Sequence, residues 1–94
     1  MDWYHTQSAP SEELAQLHFF TMKKSQPEGE VAFQITVKEY AKPPVGQRVR
    51  FFASADKTVN QKTAALLPSG WGDSVWEALE GCLRLIRQFP YEGE

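Results

Sequence analysis

Residues 74–89 hold the one sustained helical period in the chain, and whatever the rest folds into has to cover one side of that helix. At about 100° per residue, Val75, Ala78, Leu79, Cys82, Leu85, Ile86 and Phe89 fall within an arc of about 120°. Glu77, Glu80, Arg84, Arg87 and Gln88 point the other way. Ser74 with Glu77 three residues on makes a capping box, and Pro90 disfavours helical geometry at Phe89, so both ends are marked. Gly81 costs about 1 kcal/mol inside a helix, which points to close approach to a strand or to a bulky neighbour such as Phe33.

Upstream of the helix the period changes to two. Val31, Phe33, Ile35 and Val37 alternate with Glu30, Ala32, Gln34, Thr36 and Lys38, the pattern of a strand with one buried face. His18–Lys24 precedes it, separated by the turn formers Ser25-Gln-Pro-Glu-Gly29. Arg48–Ser54 follows a second turn at Lys42–Gln47 and places Val49, Phe51 and Ala53 on one face, Arg48, Arg50, Phe52 and Ser54 on the other. The apolar run Ala64–Leu67, closed by Pro68, is a candidate fourth strand at the sheet edge. Ser69–Asp73 then reads as a turn into the helix, with Trp71 folding over one end of the core. Residues 11–17 fit a short helix and an extended lead-in equally well.

The expected fold is therefore α+β: an antiparallel meander of three to four strands with one long C-terminal helix packed on one face, with or without a short N-terminal helix. Ninety-four residues, 41% of them hydrophobic, suffice for one domain and not for two. Its loose ends are expected at about residues 1–10 and 91–94.

No apolar run approaches the roughly 20 residues of a membrane span, and the N-terminus lacks the order of a signal peptide, so a cytoplasmic protein is expected. Cys82, the single cysteine, falls on the buried helix face as core filler. With only His5 and His18 beside it, no metal site and no cofactor are expected. No nucleophile stands at an interpretable spacing from a base, the pair Glu80 and Arg84 is an ordinary surface ion pair, and Gly70-Trp-Gly72 lacks the pattern of a phosphate loop. The reading is non-enzymatic.

Charge supplies the functional expectation. Residues 23–62 carry +4 between two stretches of −3 each. On the face turned from the helix this puts Lys38, Arg48, Arg50 and Phe52 together, cations around an aromatic ring, which suits a nucleic-acid backbone with bases stacked on the ring. A strand meander with a basic sheet and a closing helix, with Phe33–Tyr40 and then Ala64–Leu67 ahead of a helix containing Trp76, resembles the single-stranded-DNA-binding domain of a positive-cofactor family of transcriptional coactivators. If residues 11–17 are helical, the order is similar to that of double-stranded-RNA-binding domains, although Asp73 and Glu77 stand where that family is basic. The alternative is a protein-interaction module, an adaptor or small inhibitor, acting through Trp76 and Leu83 at the margin of the helix or through its acidic face. A homodimer is also expected. One helix about 10 Å wide cannot cover a sheet of about 15–19 Å, and an open strand edge invites a second copy.

Overall fold

The computed structural model describes residues 3–7, 9 and 11–93; Met1, Asp2, Ser8, Pro10 and Glu94, part of the ends expected to be loose, lie outside the described residues. A 3₁₀ turn at Trp3–Thr6 precedes β1 (Ala15–Gln26), β2 (Gly29–Tyr40), β3 (Phe51–Ala55), β4 (Ser69–Gly72) and the helix α1 (Val75–Gln88). The four strands form one antiparallel sheet in the order β1-β2-β3-β4. The α+β meander with a C-terminal helix is the architecture that the two sequence periods anticipate.

The β1–β2 hairpin turns at Pro27 and Glu28, where Pro27 fixes its own φ and Gly29 takes φ 135°, open to glycine and rare for other residues. Its inner face carries Phe33, Ile35 and Val37, all buried, which pack with Ala53, Ala55, Val59 and the helix residues Ala78, Leu79, Cys82 and Ile86. The Ser74 hydroxyl accepts the Glu77 N–H at 3.1 Å, and Phe89 leaves the helix in extended geometry ahead of Pro90. The helix thus begins and ends where its caps and its proline direct.

One open alternative is decided and three expectations are corrected. Residues 11–14 are not helical but lead directly into β1, which removes the helix-first order of double-stranded-RNA-binding domains. β3 begins at Phe51 and not at Arg48. The fourth strand is Ser69–Gly72 and not Ala64–Leu67, because Leu66 exchanges both backbone hydrogen bonds with Val59 in a bridge outside the sheet. Trp71 stands on the outer face of β4 beside Phe52 and Tyr40, not over the end of the core.

That strand carries glycine for a steric reason. Gly70 and Gly72 point at the helix, and a methyl group built on Gly70 would stand 2.5 Å from the Ala78 carbonyl oxygen and 2.8 Å from the Cys82 nitrogen. Gly81 answers from the helix side, with Gly70 opposite it rather than Phe33. The helix therefore lies backbone to backbone on β4 and close over β3, and reaches β1 only through side chains.

The C-terminal segment, expected loose, is pinned over its described length. Lys24 Nζ donates to the carbonyls of Ile86 and Phe89 at 2.6 and 2.9 Å. The Gln26 amide pairs with both backbone groups of Tyr91 at 2.9 Å each. Asn60 N–H donates to the Pro90 carbonyl and Glu92 N–H to Gln61 Oε1. Among the described residues no helix is long and apolar enough to cross a membrane.

Candidate nucleic-acid interface on the outer sheet face

The outer face is assembled by register. Leu17 faces Lys38, Lys38 faces Phe52, and Phe52 faces Trp71, so one row of side chains crosses all four strands. Within it the Phe52 and Trp71 rings lie 4.5 Å apart between centroids, and Tyr40 stacks on Trp71 at 6.3 Å with 19° between the planes. Tyr40 is buried, which pushes its hydroxyl pKa up, with the Glu13 charge adding to the effect. Trp71 remains 38% exposed and Leu17 46%, while Lys38 stands free above the sheet between the apolar ends of the row.

The neighbouring row runs Phe19, Thr36, Ser54 and Ser69, and Phe19 is 73% exposed. Next comes Thr21, whose hydroxyl donates to Gln34 Oε1 at 2.9 Å. The surface is thus aromatic and aliphatic toward the Trp71 end and amide- and hydroxyl-bearing toward the hairpin turn.

Of the residues expected here, Lys38 and Phe52 are brought together as cross-strand partners. Arg48 is exposed in the loop before β3, off the sheet. Arg50 is withdrawn altogether. Its Nε donates to the Tyr40 carbonyl at 2.8 Å, its guanidinium lies 3.6 Å over the Tyr4 ring, and Nη2 stands 3.6 Å from Glu39 Oε2. Alternation placed Arg50 outward, but the strand has not begun at that position and the inward-facing Glu39 carboxylate draws the side chain in.

Glu39 is the centre of that second cluster. Tyr4 Oη donates to Oε2 at 2.5 Å and His18 Nε2 to Oε1 at 2.9 Å. Burial by itself would raise the carboxyl pKa, but the bonds from Tyr4 and His18 and the charges of His18 and Arg50 together outweigh it and hold the pKa below its usual range. A carboxylate saturated in this way is a tie between β1, β2 and the N-terminal turn, poorly suited to taking a proton.

On the helix, Trp76 is 69% exposed and leans toward Phe20, with ring centroids 6.1 Å apart, whereas Leu83 packs against the core. A shallow depression of about 520 Å³ lies beside Trp76, lined by Trp71, Glu77, Glu80, Gly81 and Arg84. A second cleft of about 440 Å³ lies at the hairpin turn, between Gln26, Glu30, Lys62 and Tyr91. Cys82 is fully buried with its Sγ 3.4 Å from the Pro68 carbonyl, and burial pushes its pKa up to about 11. Among the described residues, no three of His, Cys, Asp and Glu gather as metal ligands would.

Trp71, Tyr40 and Leu17 are the members of the face that the strand patterns did not supply. The signal for Trp71 was present in Ser69-Gly-Trp-Gly72, where two glycines two apart leave one side of a strand bare and put the indole on the other. Compared with protein-family models, with curated proteins and with solved structures, the chain matches none.

Proposed function

We propose that the protein is a non-enzymatic binding module that holds single-stranded nucleic acid on the outer face of its sheet, and that it works in the cytoplasm. The observation behind this reading is the row Leu17, Lys38, Phe52 and Trp71, in which a free ammonium stands beside exposed aromatic surface. Bases stack on such rings whatever their sequence, while the cation meets a phosphate. Lys23 on the same face and Arg48 in the adjoining loop extend the track. Arg50 takes no part, since it is spent on Glu39.

Fluorescence anisotropy with a labelled mixed-sequence oligonucleotide tests the reading. With two or three cations engaged, the log-log slope of affinity against salt should be only about −2. Trp71→Ala should weaken binding by about 5- to 150-fold, the worth of one stacked base. Lys38→Glu should weaken it as well while leaving the fold untouched. Absence of binding at low salt ends the proposal.

A protein partner is the second reading, favoured by the 69% exposure of Trp76 on the helix. Capture of a partner that survives nuclease treatment and is lost in Trp76→Ala would decide for it. Either activity is proposed for a homodimer.

A further inference from the structure

The two edges of the sheet differ. β4 has four residues and lies under the helix. β1 has twelve, paired along its whole length with β2 on one side and, among the described residues, with no strand on the other. Twelve residues present about 40 Å of backbone edge. Proteins blunt such edges with proline, bulges or inward charges. Residues 15–26 contain no proline, and the ladder runs from Ala15↔Tyr40 to Gln26↔Gly29 without a bulge. The inward cation Lys24 is already bound to the helix carbonyls. On the outer face Leu17 and Phe19 are exposed beside this edge, and on the inner face Trp76 stands next to Phe20.

We propose that this edge is closed by a second copy of the chain, β1 against β1 in antiparallel fashion about a two-fold axis normal to the sheet, giving eight continuous strands with both helices on one face. The charge along the strand selects a second copy as the occupant. Glu13 lies two residues before β1 and Lys23 toward its end, both exposed; Lys23 is at an outward position of the strand, and Glu13 is near enough to the outward Tyr40 to act on its hydroxyl. Antiparallel pairing lays the acidic start of each strand on the basic end of the other.

A two-fold of this kind puts facing residues on the same side of the sheet, so the numbers of facing residues sum to an even value. With His18 on the axis, Lys23 faces Glu13 of the second copy and Phe19 faces Leu17. With Phe19 on the axis, the two Phe19 rings meet and Lys23 is diagonal to Glu13, still within reach. Both registers put an apolar centre between two opposite-charge pairs. The proposal does not require nucleic-acid binding, although Leu17 and Lys23 serve in both readings.

Sedimentation equilibrium over a concentration series, with circular dichroism as the control for folding, tests it on four proteins: the unaltered chain, Lys23→Glu, Glu13→Lys and the double exchange. The unaltered chain should approach twice its 10.7 kDa. Each single reversal should weaken association about tenfold, since two pairs turn repulsive at once, and the double exchange should restore it. Phe19→Lys, which puts two cations on the axis in one register and beside it in the other, should give a folded monomer. A single-chain mass for the unaltered protein at high micromolar concentration overturns the proposal. So does a double exchange that stays as weak as either single change, or a polydisperse series of larger species, which a closed two-fold does not produce.

Discussion

The helix meets the two sides of the sheet by different physics. Over β4 it makes contact through Gly70, Gly72 and Gly81, backbone against backbone at Gly70 and with the Glu77 stem against Gly72, while Cys82 and Ala78 fill the space beside them. Over β1 it stands off, and the gap is spanned by long side chains: Lys24 reaches the end of the helix, Gln26 the segment that follows it, and Trp76 reaches Phe20. Close packing tolerates no added volume but needs no charge. The spanned side tolerates volume but depends on polar groups that stay satisfied.

The sharpest break of this contrast is Gly70→Ala. The new methyl meets the Ala78 carbonyl at 2.5 Å and the Cys82 nitrogen at 2.8 Å, and both are backbone atoms that cannot move aside as a side-chain tip would. The expected cost is about 3 kcal/mol, at the upper end for overpacking, read from the midpoint of urea denaturation. A loss under about 0.5 kcal/mol would mean that the helix is not seated on β4. Cys82 reports the same seat chemically. A buried thiol with its pKa pushed up to about 11 should resist alkylation near neutral pH in the parent protein and react in Gly70→Ala in proportion to its unfolding.

A smaller effect is expected at Glu39 on β2, where Tyr4, His18 and Arg50 converge. Its pKa in the folded protein lies below the ordinary carboxylate value. The stabilisation is therefore complete above that ordinary value and is lost as pH falls through the lower, folded value. Glu39→Gln should cost about 2 kcal/mol at neutral pH, because it leaves a buried guanidinium nitrogen without its counter-charge. It should also flatten the fall of stability in acid. Asp56, lowered against its burial by the Gln34 N–H and Lys57, supplies the slope that remains. An unchanged acid slope in Glu39→Gln would show that the cluster does not titrate as a unit with folding.

The same contrast separates what the sequence discloses from what it conceals. Phe33, Ile35 and Val37 alternate with polar residues, and the helix carries its cap, its period and its terminating proline in plain view, so β2 and α1 follow from side-chain chemistry. β4 does not, because its inward side chains are hydrogen atoms and its meaning lies in what the helix needs beneath it. Lys38 and Phe52 were legible as one face because they sit inside regular strands. Arg50 was not, since its direction depends on Glu39, eleven positions away in sequence and on the other side of the sheet. The tail was misread for a similar reason. Gln26 and the adjacent Asn60 and Gln61 hold it from two distant places, and no local period encodes such bonds.

Lys24 refines the comparison at the smallest scale. Its ammonium donates to the carbonyls of Ile86 and Phe89, two acceptors at the end of the helix that the helix cannot satisfy itself. Against this, burial lowers its pKa, which marks a real cost of keeping the charge there. Lys24→Met keeps the stem that bridges β1 to the helix and removes the charge with its bonds. Two charge-assisted hydrogen bonds in partly solvated surroundings outweigh the desolvation, so the variant should be less stable by about 1 kcal/mol. Amide exchange should rise in the last turn of α1 while the turn over Gly70 keeps its protection, because that turn is held by packing alone. A variant as stable as the parent, or more so, would show that stem packing holds the β1 side and that the ammonium is a net burden there. The two sides of the helix would then differ in spacing only, not in the forces that join them to the sheet.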